Sequence, residues 1–74
     1  MKIVVNSALM GEQIISALTS YKEDNVKYEF ISKIGMKIEF EVTEMEKTAA
    51  IDLTKKIIRS QDFGSALYFQ VTTL

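Results

Sequence analysis

Two stretches of strict alternation between apolar and polar residues constrain this fold more than any other feature of the sequence. Apolar side chains fall at every second position in residues 26–30 and again in residues 36–42. The alternating apolar residues are Val26, Tyr28, Phe30, Met36, Ile38, Phe40 and Val42. A period of two is typical of a β-strand with one buried and one exposed face. The sequence therefore predicts two amphipathic strands that need a second layer over their apolar side.

The segment between these strands predicts a β-hairpin with a three-residue loop that ends at Gly35. Glycine suits a position with positive φ, which a bulged hairpin loop requires. If the two apolar faces coincide, Phe30 pairs with Ile38 and Tyr28 pairs with Phe40 on the buried side. We expect this register because a slip of one residue would expose all of these side chains.

The segment before the hairpin predicts a strand followed by a helix. Residues 2–5 form a short run rich in β-branched side chains, which favours a strand. Apolar residues then recur at helical spacing over about residues 9–22. Polar side chains at the start of a helix often bond its free N–H groups, so we expect Asn6 or Ser7 to be the N-cap.

The segment after the hairpin predicts a second helix and a last strand. Thr43 and Glu46 have the spacing of a capping box, so the helix is expected to begin there. Ala49, Ala50, Leu53 and Ile57 form its expected buried stripe. The helix should end around residues 60–63, before Gly64. Alternation over residues 65–73 then predicts the final strand.

The element order is thus β-α-β-β-α-β along the whole chain. This order resembles the ferredoxin-like split βαβ fold, although it identifies no particular family. The resemblance implies a single α+β sandwich domain over residues 1–74. It also implies a four-stranded antiparallel sheet with strand order 4-1-3-2 and two helices on one face.

Composition excludes several classes of function. The chain contains no Cys and no His, which removes the ligands of zinc and iron-sulfur sites and the most common catalytic acid or base. Glu23, Asp24 and Asp62 do not match an EF-hand, so no metal and no cofactor are expected. The remaining polar residues are scattered and predict no catalytic site. We therefore expect a protein that is not an enzyme.

Charge and hydropathy indicate where such a chain acts. Nine basic and ten acidic residues give a net charge of −1, which disfavours a protein that depends on contacts to nucleic-acid phosphates. The apolar run in residues 1–5 is too short for a signal peptide, and no apolar stretch is long enough to span a membrane. These features favour a cytoplasmic protein that does not bind membranes.

The main functional hypothesis is a small accessory module that binds protein, most simply a second copy of itself. In the expected fold one sheet face stays uncovered, and two edge strands are free to extend the sheet. The expected interaction surface consists of Val4, Lys27, Ile31, Lys37, Tyr68, Gln70 and Thr72. A homodimer would use either this open face or an edge strand.

Two alternatives stay open at this stage. Tyr68 and the lysines at positions 2, 27, 33 and 37 would allow nucleic-acid binding on the open face, although Glu29, Glu39 and Glu41 interrupt the positive charge. A weaker alternative is a small-ligand regulatory domain that uses Asn6, Ser7 and Gly11. Those residues serve equally well as a helix cap.

Overall fold

The computed structural model describes residues 1–74 and contains four strands and two helices. The strands are β1 (Lys2–Asn6), β2 (Tyr28–Ile34), β3 (Lys37–Val42) and β4 (Gln70–Thr73). The helices are α1 (Gly11–Thr19) and α2 (Lys47–Arg59), and a short 3-10 turn occupies Gly64–Ala66. All strand pairs are antiparallel, in the order β2-β3-β1-β4. The predicted α+β ferredoxin-like arrangement, including its strand order, is confirmed.

One apolar layer between the sheet and the helices forms the core. Ile3 and Val5 of β1 point into this layer from the centre of the sheet, and Phe40 joins them from β3. The helices contribute Leu18 from α1 and Ile58 from α2, among others. Both helices therefore cover the same face, and the opposite face, which we call the open face, has no covering layer.

The predicted register of the hairpin is wrong. Phe30 lies opposite Phe40 and Tyr28 lies opposite Val42, a shift of two residues on β3. A β-bulge between Phe30 and Ser32 then changes the register for the rest of β2. The bulge inserts an extra residue, which a pattern of simple alternation cannot anticipate.

The loop of the hairpin also differs from the prediction. β2 continues to Ile34, which pairs with Lys37, so the loop contains only Gly35 and Met36. Gly35 has a φ of 60°. Positive φ at the first of two loop residues is typical of a type II′ turn, whose twist matches that of the strands. The glycine was correctly placed at a turn, but the turn is tighter than expected.

Helix α1 is shorter than predicted, and neither expected N-cap residue caps it. The Ser7 hydroxyl donates to the carbonyl oxygen of Leu9 at 2.6 Å. Met10, with a φ of 63°, precedes the helix and makes no side-chain cap bond. The helix ends at Thr19, and the chain then turns so that the ring of Tyr21 packs edge-on against Tyr28.

Helix α2 begins three residues later than predicted, with its N-cap at Glu46 instead of Thr43. Glu46 is the N-cap, and its carboxylate accepts a bond from the Thr48 N–H at 3.2 Å. The Thr43 hydroxyl instead accepts from the backbone N–H of Lys27 at 3.0 Å, where the chain enters β2. Ala50 and Ile57 are buried as expected, whereas Ala49 is exposed.

The last strand is shorter than the alternating pattern suggested. The chain forms the 3-10 turn at Gly64–Ala66 and pairs with β1 only from Gln70 onward. Gly64 is fully surrounded, and a Cβ atom at this position would overlap the carbonyl oxygen of Ile58. Its role is therefore to allow this close approach to the end of α2, rather than to adopt positive φ.

A buried hydrogen bond joins the sheet to α2. The Thr54 hydroxyl donates to the Ala50 carbonyl at 2.8 Å, so the Tyr28 hydroxyl is the donor in its 2.8 Å bond to Thr54 Oγ1. We expect Thr54→Val to cost about 1–3 kcal/mol of unfolding free energy, because it leaves the buried tyrosine hydroxyl without an acceptor. Tyr28→Phe should cost about 1 kcal/mol. Urea unfolding of both single variants and the double variant tests this, and additive losses would contradict the direct bond.

The buried hydroxyl of Tyr28 also makes the fold sensitive to alkali. Burial raises the pKa of Tyr28 above its ordinary value of 10.0. The folded state thus holds this proton more tightly than the unfolded state does. This contribution to stability is complete below pH 10 and is lost as the pH rises through the raised pKa. Above pH 10, wild type should lose stability more steeply than Tyr28→Phe, as measured by urea unfolding.

Candidate interaction surface

The centre of the open face is closed by the side chains of the sheet itself. Val4 points to this face but is only 1% exposed, and it lies between Glu39 of β3 and Thr72 of β4. The Ser32 hydroxyl donates to the Glu39 carboxylate at 3.1 Å across the next strand pair. Val4 was expected to contribute to a contact surface, but its side chain is out of reach of a partner.

Charged groups at one end of the open face pair with each other. The amino group of Met1 lies 2.7 Å from the Glu41 carboxylate and 3.3 Å from that of Glu44. The bond to Glu41 is the largest cause of a raised pKa for this amino group, and the same bond lowers the pKa of Glu41. Glu29 lies opposite Glu41 on β2, and Lys27 Nζ is 4.0 Å from the Glu29 carboxylate. The like charges of Glu29 and Glu41 are thus each offset by a nearby cation.

Four of the seven expected surface residues, Val4, Tyr68, Gln70 and Thr72, lie on or beside β1 and β4, and a fifth, Lys37, lies on the adjoining β3. Lys37, Asn6 and Gln70 form one row across three strands. Thr72 follows Gln70 on the open face of β4, and Tyr68 lies just before that strand. The amide of Gln70 points toward the Tyr68 hydroxyl, at 3.4 Å.

The other two expected residues lie on the opposite edge of the sheet. Lys27 directly precedes β2, and Ile31 is the extra residue at its bulge. Because β2 and β4 are separated by two strands, the seven residues do not form one continuous patch. A partner that contacts Tyr68 and Thr72 along β4 would not reach Lys27 by the same contact.

The outer edge of β4 offers backbone groups without partners. The Leu74 N–H donates to the Lys2 carbonyl at 3.2 Å. In β4 and at Leu74, the N–H and C=O groups of the even-numbered residues therefore bond to β1. N–H and C=O groups alternate in direction along an antiparallel strand. Those of Val71 and Thr73 therefore point away from the sheet, where β4 has no neighbour. We call this outer edge, together with the flanking Tyr68 and Leu74, the β4 edge.

The side chains of the β4 edge make it receptive to another strand. No charged side chain follows Asp62 in the sequence. Tyr68 is 81% exposed and Leu74 is 66% exposed. Natural edge strands are commonly protected by lysine, proline or a bulge, and β4 has none of these. Short uncharged segments rich in β-branched and aromatic residues pair readily with other strands.

The β2 edge carries the protection that β4 lacks. Its bulge disrupts regular pairing after Phe30. Charged residues alternate along it, with Lys27 and Glu29 before the bulge and Lys33 after it. Phe30 remains 45% exposed on this edge. The two edges are therefore not equivalent, and β4 is the one open to extension.

An apolar groove, which we call the end groove, opens beside the β4 edge at the end of the sheet. It encloses about 480 Å³ between the β1–α1 loop, the hairpin loop and the segment that leads into β4. Its lining residues are Asn6, Ser7, Ala8, Leu9, Met36, Ala66, Leu67, Tyr68 and Gln70. The sequence patterns did not predict this groove. The apolar run of Ala8, Leu9 and Met10, where a polar cap was expected, was the feature that could have revealed it.

Two of the three residues of the weaker alternative hypothesis, Ser7 and Gly11, are already engaged within the fold, while the third, Asn6, lines the end groove. Ser7 is buried and its hydroxyl bonds to Leu9, while Gly11 lies against the side chain of Lys33. Lys33 is opposite the buried Ile38 and thus lies on the helix-covered side, not on the open face as expected. The bulge causes this reversal. The set of lysines invoked for nucleic-acid binding is therefore divided between the two faces.

Beyond the sheet edges and the end groove, we looked for metal sites, membrane-spanning helices and similarity to known proteins. No group of three or more acidic side chains comes together in a way that could hold a metal ion. Neither helix has the length and apolar character needed to cross a membrane. Comparisons with protein-family models, curated proteins and solved structures each found no match to this chain.

Proposed function

We propose that this chain is a non-enzymatic protein-interaction module that binds another polypeptide by extending its sheet at the β4 edge. The observation that supports this proposal is the pair of outward-facing, unpartnered residues Val71 and Thr73 on an uncharged edge strand. Added strands gain main-chain hydrogen bonds for affinity, and side chains on alternate positions provide specificity.

The exposed apolar residues beside the edge support the same function. An added strand would cover part of Tyr68 and Leu74, which are otherwise in water. The end groove lies directly next to Tyr68 and offers an apolar surface for a side chain that extends beyond the added strand. Apolar burial next to a row of hydrogen bonds is the usual composition of a specific protein contact.

The proposal places this module in the cytoplasm as an accessory protein. Its chain has no Cys and therefore loses no disulfide in a reducing compartment. A small domain without metal or disulfide gains stability when a partner covers part of its surface.

A substitution at Thr73 tests the use of this edge. Thr73→Pro removes the outward N–H without removing a bond to β1, because the groups of Thr73 do not face β1. Thr73→Val keeps the N–H and is the matched control. Each protein is immobilised and exposed to a second sample of the wild type and to an extract of its source cells. We expect wild type and Thr73→Val to retain a polypeptide that Thr73→Pro does not.

Two results would contradict the proposal. If Thr73→Pro retains the same polypeptide as wild type, binding does not use the β4 edge. If wild type retains no polypeptide from either source, the interaction function itself is contradicted. Circular dichroism of Thr73→Pro confirms that the variant is folded before the comparison is made.

A further inference from the structure

We propose that the polypeptide bound at the β4 edge is a second copy of this chain, paired antiparallel about a twofold axis at Val71. This inference rests on the proposed function and adds the identity of the partner and the register of the contact. The result is a continuous eight-stranded sheet whose helices all lie on one face.

The absence of charge on the β4 edge favours a second copy. A twofold axis brings each residue close to the same residue of the partner, so any charge near the axis meets its own sign. No charged side chain lies between Phe63 and Leu74. This segment is therefore compatible with itself, whereas a basic or acidic partner strand would find no opposite charge on it.

The register follows from the directions of the backbone groups. The outward N–H and C=O of Val71 meet those of the partner's Val71 and exchange two hydrogen bonds. Phe69 and Thr73 also face outward by the same alternation, and each pairs with the other across the axis. All the free backbone groups of this extended segment are thereby used.

The axis at Val71 also brings exposed apolar residues of the two chains together. On the open face, Tyr68 of one chain lies opposite Leu74 of the other, and both are largely exposed in the isolated chain. An axis at Gln70 would instead put Leu74 opposite Ala66, which belongs to the 3-10 turn. With an axis at Thr72, neither Tyr68 nor Leu74 of the partner chain would lie opposite Tyr68. The axis at Val71 covers the most apolar surface.

The charges of α2 agree with this arrangement. A twofold axis perpendicular to the sheet runs the two copies of α2 in opposite directions. The basic end of each helix, with Lys55, Lys56 and Arg59, then lies toward the beginning of the other helix. Glu44 and Glu46 are located at that beginning. Attraction between these ends favours the antiparallel pair, although exposed ion pairs of this kind are weak.

Cysteine cross-linking tests this register cleanly because the chain has no natural cysteine. With the axis at Val71, Gln70 lies opposite the partner's Thr72 in a non-hydrogen-bonded pair. The Cα atoms of such a pair are about 4.5 Å apart, which suits a disulfide. Gln70→Cys and Thr72→Cys are therefore mixed in equal amounts and oxidised slowly. Thr48→Cys, on an exposed position of α2, is the control for random collision.

We expect the mixed disulfide between positions 70 and 72 to form first and to exceed the half share that random collision gives. Mass spectrometry of the intact dimers measures this share. A dominant disulfide between two Thr72→Cys chains would overturn the register. Cross-linking no faster than that of Thr48→Cys would overturn self-pairing at this edge. In that last case the proposed function survives if the Thr73→Pro variant still fails to retain a foreign polypeptide that wild type binds.

Discussion

Replacing Gly64 with alanine is expected to lower the free energy of unfolding by about 3 kcal/mol or more, since inserted atoms strain a packed interior. The added Cβ would overlap the carbonyl oxygen of Ile58 and approach the Cα atom of Arg59 to 2.9 Å. Both are backbone atoms of the last turn of α2, so no side-chain rotation relieves the overlap. The chain must either shift the helix end or open the turn that leads into β4.

The other two glycines provide matched controls in urea unfolding. Gly35→Ala should cost about 1 kcal/mol, because alanine is strained at a φ of 60° but meets no neighbouring atom. Gly11→Ala should change stability by less than about 1 kcal/mol. Its Cβ would meet only the flexible end of the Lys33 side chain, at 2.7 Å. If Gly64→Ala is no less stable than Gly35→Ala, the close contact between Gly64 and the end of α2 is not what requires glycine in the turn before β4.

Replacing Phe40 with alanine is expected to cost about 3–5 kcal/mol, the usual loss for a large aromatic residue in a core. Phe40 is fully buried on β3, and the rings of Tyr28 and Phe30 lie edge-on to it at 6.3 and 6.2 Å. A domain of this size has a total stability of the same order, about 0.05–0.15 kcal/mol per residue. The variant should therefore be largely unfolded at room temperature, as measured by circular dichroism.

Phe30 is the matched control for Phe40, since both rings lie on the same side of the hairpin and pair with each other. Phe30 is already 45% exposed. Its replacement by alanine should cost only about 1 kcal/mol, in proportion to the smaller area it buries. Equal losses for the two variants would show that the core does not centre on β3.

The element order and the sheet order were predictable because the relevant patterns are long and unbroken. The alternation of Ile38, Phe40 and Val42 with charged residues identifies β3 without ambiguity. Once two helices and four strands are recognised, the handedness of the crossovers leaves few arrangements for them. These parts of the fold depend on burial, and burial leaves a periodic pattern in the sequence.

The errors arose where single contacts decide between local alternatives. The bulge at Ile31 reverses the faces of the residues after it, so the exposed Lys33 lies on the helix-covered side of the sheet and Ile34 lies on the open face. Thr43 has the residue type and spacing of a cap, but the entrance of β2 uses its hydroxyl instead. Neither choice is visible in an alternating or capping pattern, because the bulge depends on how β2 pairs with β3 and the Thr43 hydroxyl is bonded by Lys27.

The candidate site was predictable in part. The exposed positions of Tyr68, Gln70 and Thr72 follow from alternation alone. The uncharged stretch after Asp62 was also visible in the sequence. What alternation cannot supply is the length of β4 and the direction of its free backbone groups, which depend on its register with β1. The burial of Val4 likewise depends on neighbours from two other strands.

Amide hydrogen exchange of β4, measured by NMR in dilute and concentrated samples, tests whether the β4 edge pairs with a second chain. The N–H groups of Val71 and Thr73 face outward, while that of Thr72 is bonded to β1 and serves as an internal reference. We expect Val71 and Thr73 to exchange rapidly in the dilute sample and about tenfold or more slowly when concentrated, as their N–H groups become bonded. Unchanged exchange at Val71 and Thr73, or new protection along β2 instead, would show that the β4 edge does not pair.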